Sequence, residues 1–121
     1  TWNNDSPWTN LNAKEIYESL KGKHDRVDLR YTQSYISINI DGRNAYWLCK
    51  RIKPTSALFF SVKDDEKVEA IKKKLEENDI GYTYNRYKEF MLNVDIKSIK
   101  KNIELLNEVH TIRNKKVTDD E

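Results

Sequence analysis

The stretch from Tyr31 to Lys63 constrains the fold more than any other part of the sequence. Three isoleucines near its start alternate with polar residues, the period-two pattern of a strand with one buried face: Ile36, Ile38 and Ile40. Asp41-Gly42 follows them directly, and glycine accepts the positive φ that a tight hairpin turn requires. The pattern therefore predicts a strand followed by a hairpin.

Two more strands are expected in the same stretch. The second covers about 44–52 and the third covers 56–62, a short apolar run rich in strand-forming residues. Pro54 lies between them and has no N–H to give to a strand ladder, so it marks the end of the second strand. Because the links between the three strands are short, they predict an antiparallel meander.

Apolar residues at helical spacing predict three helices around these strands. The first has Asn12 as its N-cap and ends at Gly22. The second begins at Asp64 or Asp65 and runs to about Asn78, and the third covers 95–113. A fourth strand at 89–94 separates the last two helices, and 27–30 is a short strand or the lead-in to the first one.

The order α-β-β-β-α-β-α defines the expected fold class. It is an α+β two-layer sandwich, in which a three-stranded antiparallel meander gains a fourth strand and the helices cover one face. The 121 residues suit a single domain. We expect a lead segment at 1–10, one domain at 11–113 and a disordered charged tail at 114–121.

Composition excludes several classes of protein. The net charge is +2, from 22 basic and 20 acidic residues, so bulk charge gives no argument for a nucleic-acid or membrane partner. Cys49 is the only cysteine, which excludes an intramolecular disulfide and a cysteine-based zinc site. No apolar run approaches the roughly 20 residues that span a bilayer. We expect a cytoplasmic protein without membrane contact.

No motif predicts catalysis. His24 and His110 are the only histidines and lie far apart in the sequence. His110 falls on the apolar stripe of the last helix, where a packed histidine is the usual case. The three glycines occur singly, so they form no glycine-rich phosphate loop. We therefore expect no enzyme, no cofactor and no metal.

The most distinctive surface is the sheet face opposite the helices. Strand alternation sends a mixture of aromatic and basic residues to that face: Tyr31, Tyr35, Trp47, Cys49, Arg51, Phe59 and Lys63. Lys50 and Lys53 flank Arg51 and complete a basic cluster. Aromatic rings on a sheet can stack with unpaired bases, at about 1–3 kcal/mol per base, while cations contact phosphates.

Three interpretations of this face stay open. It can be covered by the N-terminal segment with Trp2 and Trp8, or by 82–87, because aromatic residues are common in strands that are simply half-buried. It can be an interface with a protein partner or a second copy, as exposed apolar patches often are. It can also bind DNA or RNA. The basic cluster has its own structural explanation, which is that charges protect an edge strand from pairing.

Several segments resemble a known family. They are the run YTQSYISI from Tyr31, the run NAYW at 44–47, the pair Lys53-Pro54 and the apolar run at 58–60. Together they are similar to a small uncharacterised bacterial domain, which often ends predicted transport proteins and restriction-type or other nuclease-associated proteins. The resemblance covers roughly 27–112 and rests on strand pattern and aromatic placement.

The resemblance implies the same α+β order and an accessory role beside a separate effector domain. It supplies no catalytic residues. The sequence thus predicts a non-catalytic accessory domain that contacts nucleic acid through the aromatic and basic sheet face. The alternative is a protein-interaction or dimerisation module that uses the same face.

Overall fold

The computed structural model describes residues 7–49 and 55–114. In this part of the chain, three helices and six strands form an α+β fold, which confirms the predicted class. They are α1 (Pro7–Lys21), β1 (Val27–Tyr31), β2 (Tyr35–Ile40), β3 (Arg43–Cys49), β4 (Ser56–Ser61), α2 (Asp65–Glu77), β5 (Thr83–Tyr84), β6 (Glu89–Val94) and α3 (Ile96–Asn114).

The strands form one open sheet in the order β1-β2-β3-β4-β6-β5. All neighbouring pairs are antiparallel. The predicted four strands are the inner ones, and β1 and β5 extend the sheet at its two edges. The strand β6 returns after α2 to pair with β4, so the helical crossover joins neighbours in the sheet.

The turn between β2 and β3 follows from its two residues. Asp41 and Gly42 both have positive φ, at 51° and 83°, as in the primed turns that suit twisted hairpins. The register shifts between Ile38 and Asn39, where Ala45 is the extra residue on β3. The hairpin predicted at this position is confirmed.

All three helices lie on the same side of the sheet. The core between the two layers includes Tyr46, Phe60 and Phe90, all fully buried. The ring of Phe60 stacks on that of Phe90 with centroids 5.1 Å apart, and the Tyr46 hydroxyl donates to the carbonyl of Leu106 in α3. The ring contact holds neighbouring strands together, and the hydrogen bond attaches the sheet to α3.

The first helix begins earlier than predicted. It starts at Pro7, because proline has the φ of a helix and its missing N–H is not needed in the first turn. Asn12 is therefore not an N-cap. Its side-chain amide instead donates to Ser56 Oγ at 2.9 Å, between α1 and the sheet. Residues 7–10, assigned to a lead segment, belong to this helix, while 1–6 lie outside the described residues.

The second helix begins and ends where its sequence predicts. The Asp64 side chain accepts a hydrogen bond from the backbone N–H of Lys67 at 3.0 Å and caps the helix. Asp79 just beyond the other end has a φ of 56°. The last helix ends at Asn114, and the predicted tail from 115 onwards lies outside the described residues.

Candidate functional site

The face of the sheet opposite the helices, here called the open face, is organised in rows that cross the strands. Residues directly opposite one another in an antiparallel sheet point to the same side. One such row crosses all six strands and consists of Arg30, Ser37, Trp47, Phe59, Met91 and Thr83. The central part of the row is therefore apolar and its two ends are polar.

An aromatic strip, formed by Trp47, Phe59 and Met91, occupies the centre of the open face. The indole of Trp47 stacks on the ring of Phe59, with centroids 5.7 Å apart and planes only 9° from parallel. All three side chains are half-buried. The two rings thus form an apolar patch that is partly exposed.

A shallow groove of about 730 Å³ lies beside the strip, over β1, β2 and β3. Tyr35 and Trp47 are its aromatic lining residues. Its polar lining includes Arg30, Thr32, Ser37, Asn39 and Asn44. Amides, hydroxyls and a guanidinium beside accessible rings can recognise a planar ligand that carries donors and acceptors on its edge.

The turn between β1 and β2 holds Tyr35 at the groove. The Thr32 hydroxyl accepts from the Tyr35 N–H at 3.0 Å and donates to its carbonyl at 2.9 Å. The backbone N–H of Thr32 donates to that same carbonyl at 2.9 Å. Tyr35 remains 39% exposed, so its backbone is fixed while its ring stays accessible.

The charges of the open face nearly cancel among the described residues. Strand pairing places Asp28, Arg30 and Glu89 on this side. Asp28 already forms an ion pair with Arg26, whose Nε lies 2.8 Å from a carboxylate oxygen of Asp28. The described part of the face therefore has no strong electrostatic preference.

The predicted site residues divide into three groups. Tyr35, Trp47 and Phe59 lie on the open face, as strand alternation predicted, and Cys49 lies there beside Tyr35. Tyr31 and Lys63 are not part of these rows on the open face. The basic cluster lies outside the described residues: Lys50, Arg51 and Lys53.

The prediction for Tyr31 is wrong, because this residue lies on the helix side. It pairs directly with Ile36, a core residue, and its hydroxyl donates to Asn10 Oδ1 in α1 at 2.7 Å. Burial there raises the pKa of Tyr31. The three-residue turn after Tyr31 restarts the alternation, so residues 31 and 35 point to opposite sides.

Lys63 lies outside the strands and so belongs to no row of the open face. It lies beyond the end of β4 and lines a small cavity of about 310 Å³ that Lys67 and Arg113 also line. Arg113 belongs to α3 and donates to backbone carbonyls of Ser61 and Ala45.

The proposed covers of the open face also lie on the helix side. Trp8 lines a cavity together with Leu11 and Ile96, between α1 and the start of α3. Tyr84 packs against the core residue Phe90 with ring centroids 4.7 Å apart. Neither covers the aromatic strip, and Trp2 lies outside the described residues.

The structure also brings together two histidines that are distant in the sequence. His24 and His110 meet edge to face with ring centroids 5.3 Å apart, and a ring nitrogen of His24 lies 2.7 Å from Asn107 Oδ1. Burial, followed by the charges of His24 and Arg113, lowers the pKa of His110 to about 4. No sequence signal predicts this pairing, because it depends on how α1 packs on α3.

Among residues 7–49 and 55–114, no three histidine, cysteine, aspartate or glutamate side chains come close enough to hold an ion together. None of the helices within these ranges is both long and apolar enough to cross a bilayer.

The chain matches no protein-family model, no curated protein and no solved structure. The resemblance to the small bacterial domain therefore stays a prediction.

Proposed function

We propose that this protein is a non-catalytic accessory domain that binds single-stranded nucleic acid on its open face. The observation that carries the proposal is the aromatic strip beside the polar groove. The stacked pair of Trp47 and Phe59 offers one partly exposed ring surface, and Tyr35, which lines the groove together with Trp47, offers a second ring. A nucleic acid with unpaired bases has flat apolar rings with polar edges, which fits this combination.

The groove suits bases better than a purely apolar ligand. Asn39 and Asn44 each carry an amide, which can donate to and accept from the edge of a base. These amides lie close to each other, with Asn44 Nδ2 3.5 Å from Asn39 Oδ1. Arg30 at the edge of the groove can stack on a base or contact a phosphate.

Phosphate contacts need more cations than the described face offers. The basic cluster of Lys50, Arg51 and Lys53 follows Cys49 directly in the sequence. We infer that this cluster contributes the electrostatic part of binding. Log affinity falls linearly as the logarithm of the salt concentration rises. For a single strand, each phosphate that the cluster neutralises would make this slope steeper by about 0.7.

Fluorescence anisotropy with labelled single- and double-stranded oligonucleotides tests the proposal. The wild-type protein should bind the single strands, and affinity should fall as salt rises. Trp47→Ala should weaken binding by about 5–150-fold, since one stacked base contributes about 1–3 kcal/mol. Tyr35→Ala should have a similar effect with little change in stability, because its ring is exposed.

A matched control is Tyr87→Ala. Tyr87 is 64% exposed and stacks against Arg86 at 5.0 Å, so it also combines a ring with a cation. It lies in the turn between β5 and β6, away from the groove, and its loss should leave binding unchanged. Flat titrations at low salt, or equal losses for Tyr87→Ala and Tyr35→Ala, would refute nucleic-acid binding on this face.

The second candidate is a protein-interaction module that uses the same face. The near balance of charge and the apolar strip favour it, because interface centres are depleted in charge and rich in aromatic residues and methionine. A protein partner would give binding that depends on Trp47 and Phe59 and only weakly on salt. The salt dependence of affinity therefore separates the two candidates.

A further inference from the structure

Strand β1 has an unpaired outer edge. The backbone groups of Arg26 and Thr32 point to β2 or the turn beside it, since Asp41 N–H donates to Arg26 and Thr32 N–H donates to Tyr35. Backbone groups alternate along a strand, so those of Val27, Leu29 and Tyr31 point away from β2. Within residues 7–49 and 55–114, these outward groups have no hydrogen-bond partner.

The two edges of the sheet differ in how they are protected. The edge strand β5 has only two residues, and very short edge strands are one way in which proteins avoid pairing with other chains. The edge strand β1 has five residues, with neither a proline nor a register shift. Of the two edges, β1 is thus the one suited to pairing.

We propose that β1 pairs with β1 of a second copy of this chain, antiparallel and centred on Leu29. The outward N–H and C=O groups of Leu29 would bond to those of the other Leu29, and Val27 would exchange hydrogen bonds with Tyr31. The two sheets would become one continuous sheet with a two-fold axis between them. This inference does not depend on the proposed function, since it concerns the edge and involves no ligand.

The charges of β1 favour this register. Asp28 and Arg30 lie on the open face, two residues apart, on either side of Leu29. In the pairing centred on Leu29, each Asp28 lies opposite Arg30 of the other copy, in the closer, non-hydrogen-bonded type of pair. Opposite charges directly across a sheet attract and like charges repel.

The two neighbouring antiparallel registers place like charges together. An antiparallel pairing centred on Asp28 puts Asp28 opposite itself, and one centred on Arg30 puts two arginines opposite each other. A parallel pairing in register places Asp28 beside Asp28 and also Arg30 beside Arg30. Among the described residues Arg30 has no ion-pair partner, whereas Asp28 already has Arg26, so the register centred on Leu29 gives Arg30 a carboxylate.

The side chains on the helix side agree with the same pairing. Leu29 is half-buried and Tyr31 is 45% exposed. Across the two-fold axis, Leu29 would meet Leu29 and Tyr31 would meet Val27. The pairing would therefore bury apolar surface on one side of the joined sheet and form two ion pairs on the other.

Sedimentation equilibrium of the full chain tests the proposal. The wild-type protein should show a monomer–dimer equilibrium. Asp28→Arg alone, or Arg30→Asp alone, should weaken dimerisation at least about tenfold, because each converts two attractive pairs into two repulsive ones. The double variant Asp28→Arg/Arg30→Asp should restore it, since the pairs are then exchanged but again opposite in sign.

A mixture of the two single variants gives the sharpest result. One variant then carries two arginines on β1 and the other carries two aspartates, so a heterodimer should form where neither variant dimerises alone. Circular dichroism would confirm that each variant is folded. Arg26→Ala is a matched control that removes the partner of Asp28 within the chain, and it should not weaken the dimer.

Three results would overturn the proposal. The first is a protein that stays monomeric up to about 1 mM, the weak end of measurable association. The second is a dimer that persists unchanged in both charge-reversed variants. The third is a dimer lost on Trp47→Ala but kept in the charge-reversed variants, which would assign dimerisation to the open face instead.

Discussion

Both faces of the sheet carry aromatic residues, but these residues have different roles on the two faces. Phe59 and Phe60 are neighbours on β4, and strand alternation sends them to opposite sides. Phe60 is fully buried between the layers and contacts the rings of Tyr46 and Phe90. Phe59 stacks on Trp47 and stays partly exposed. Aromatic residues on the helix side therefore hold the layers together, while those on the open face are available to a ligand.

The largest expected change in the free energy of unfolding distinguishes these two phenylalanines. Phe60→Ala should lower the free energy of unfolding by about 3–5 kcal/mol, since it leaves a cavity in the core. Phe59→Ala should cost about 1–2 kcal/mol, because only half of that side chain is buried. Urea denaturation of both variants measures the difference. Equal losses would mean that the open face is part of a core, and the contrast between the faces would fail.

Two buried serines also allow the helix side to be compared with the open face, with a smaller expected change in the free energy of unfolding. On the helix side, Ser56 Oγ accepts from Asn12 and donates to Thr9 Oγ1 at 3.1 Å. Ser37 lies on the open face and is also almost fully buried, but it makes no side-chain hydrogen bond to any described residue.

Ser56→Ala should therefore cost about 1–3 kcal/mol, because it leaves the buried Asn12 amide without its closest acceptor. Ser37→Ala should change the free energy of unfolding by less than about 0.5 kcal/mol. Thermal and chemical unfolding of the two variants, measured side by side, would check this. A costly Ser37→Ala would reveal a polar contact on the open face.

The last expected effect is confined to acidic pH and concerns a histidine in the helix layer. The pKa of His110 is about 4 in the folded protein, below the ordinary value near 6.5. Between these two values the unfolded chain binds a proton that the folded one excludes, so stability falls as the pH falls through this window. The groups that set this pKa include His24 and Arg113, which lower it, and Asp41, which raises it.

His110→Gln removes this titration and should make stability less sensitive to pH between about 6.5 and 4.5. The measurement is the melting temperature of both proteins across that range. Carboxylates titrate in both proteins alike, so the difference between the two curves isolates the histidine. Parallel curves would contradict the lowered pKa.

Much of the fold could be predicted because its signals are local. The hairpin depends on Asp41-Gly42, whose conformation is fixed by the residues themselves. The cap of α2 depends on Asp64 and the N–H of Lys67, three residues away. The start of α1 was missed because Asn12 has the side chain of a good cap but is buried against the sheet.

The candidate site was only partly predictable. Alternation within a strand is a local property, so the sides of Tyr35, Trp47 and Phe59 followed from the sequence. The side of Tyr31 did not, because the turn that follows it resets the alternation and the hydroxyl is held by Asn10 in another element. Lys63 belongs to no row, because its strand ends at Ser61.

The sequence by itself determined the three helices, the four inner strands, the α+β class and the alternation that separates core from open face. These are consequences of side-chain spacing and turn chemistry, which act over a few residues. Only the tertiary structure decided that β1 is an edge, that Arg30 and Trp47 share one row, and that His24 meets His110. Such contacts depend on strand order and helix packing, which are set by the burial of the whole core rather than by any one segment.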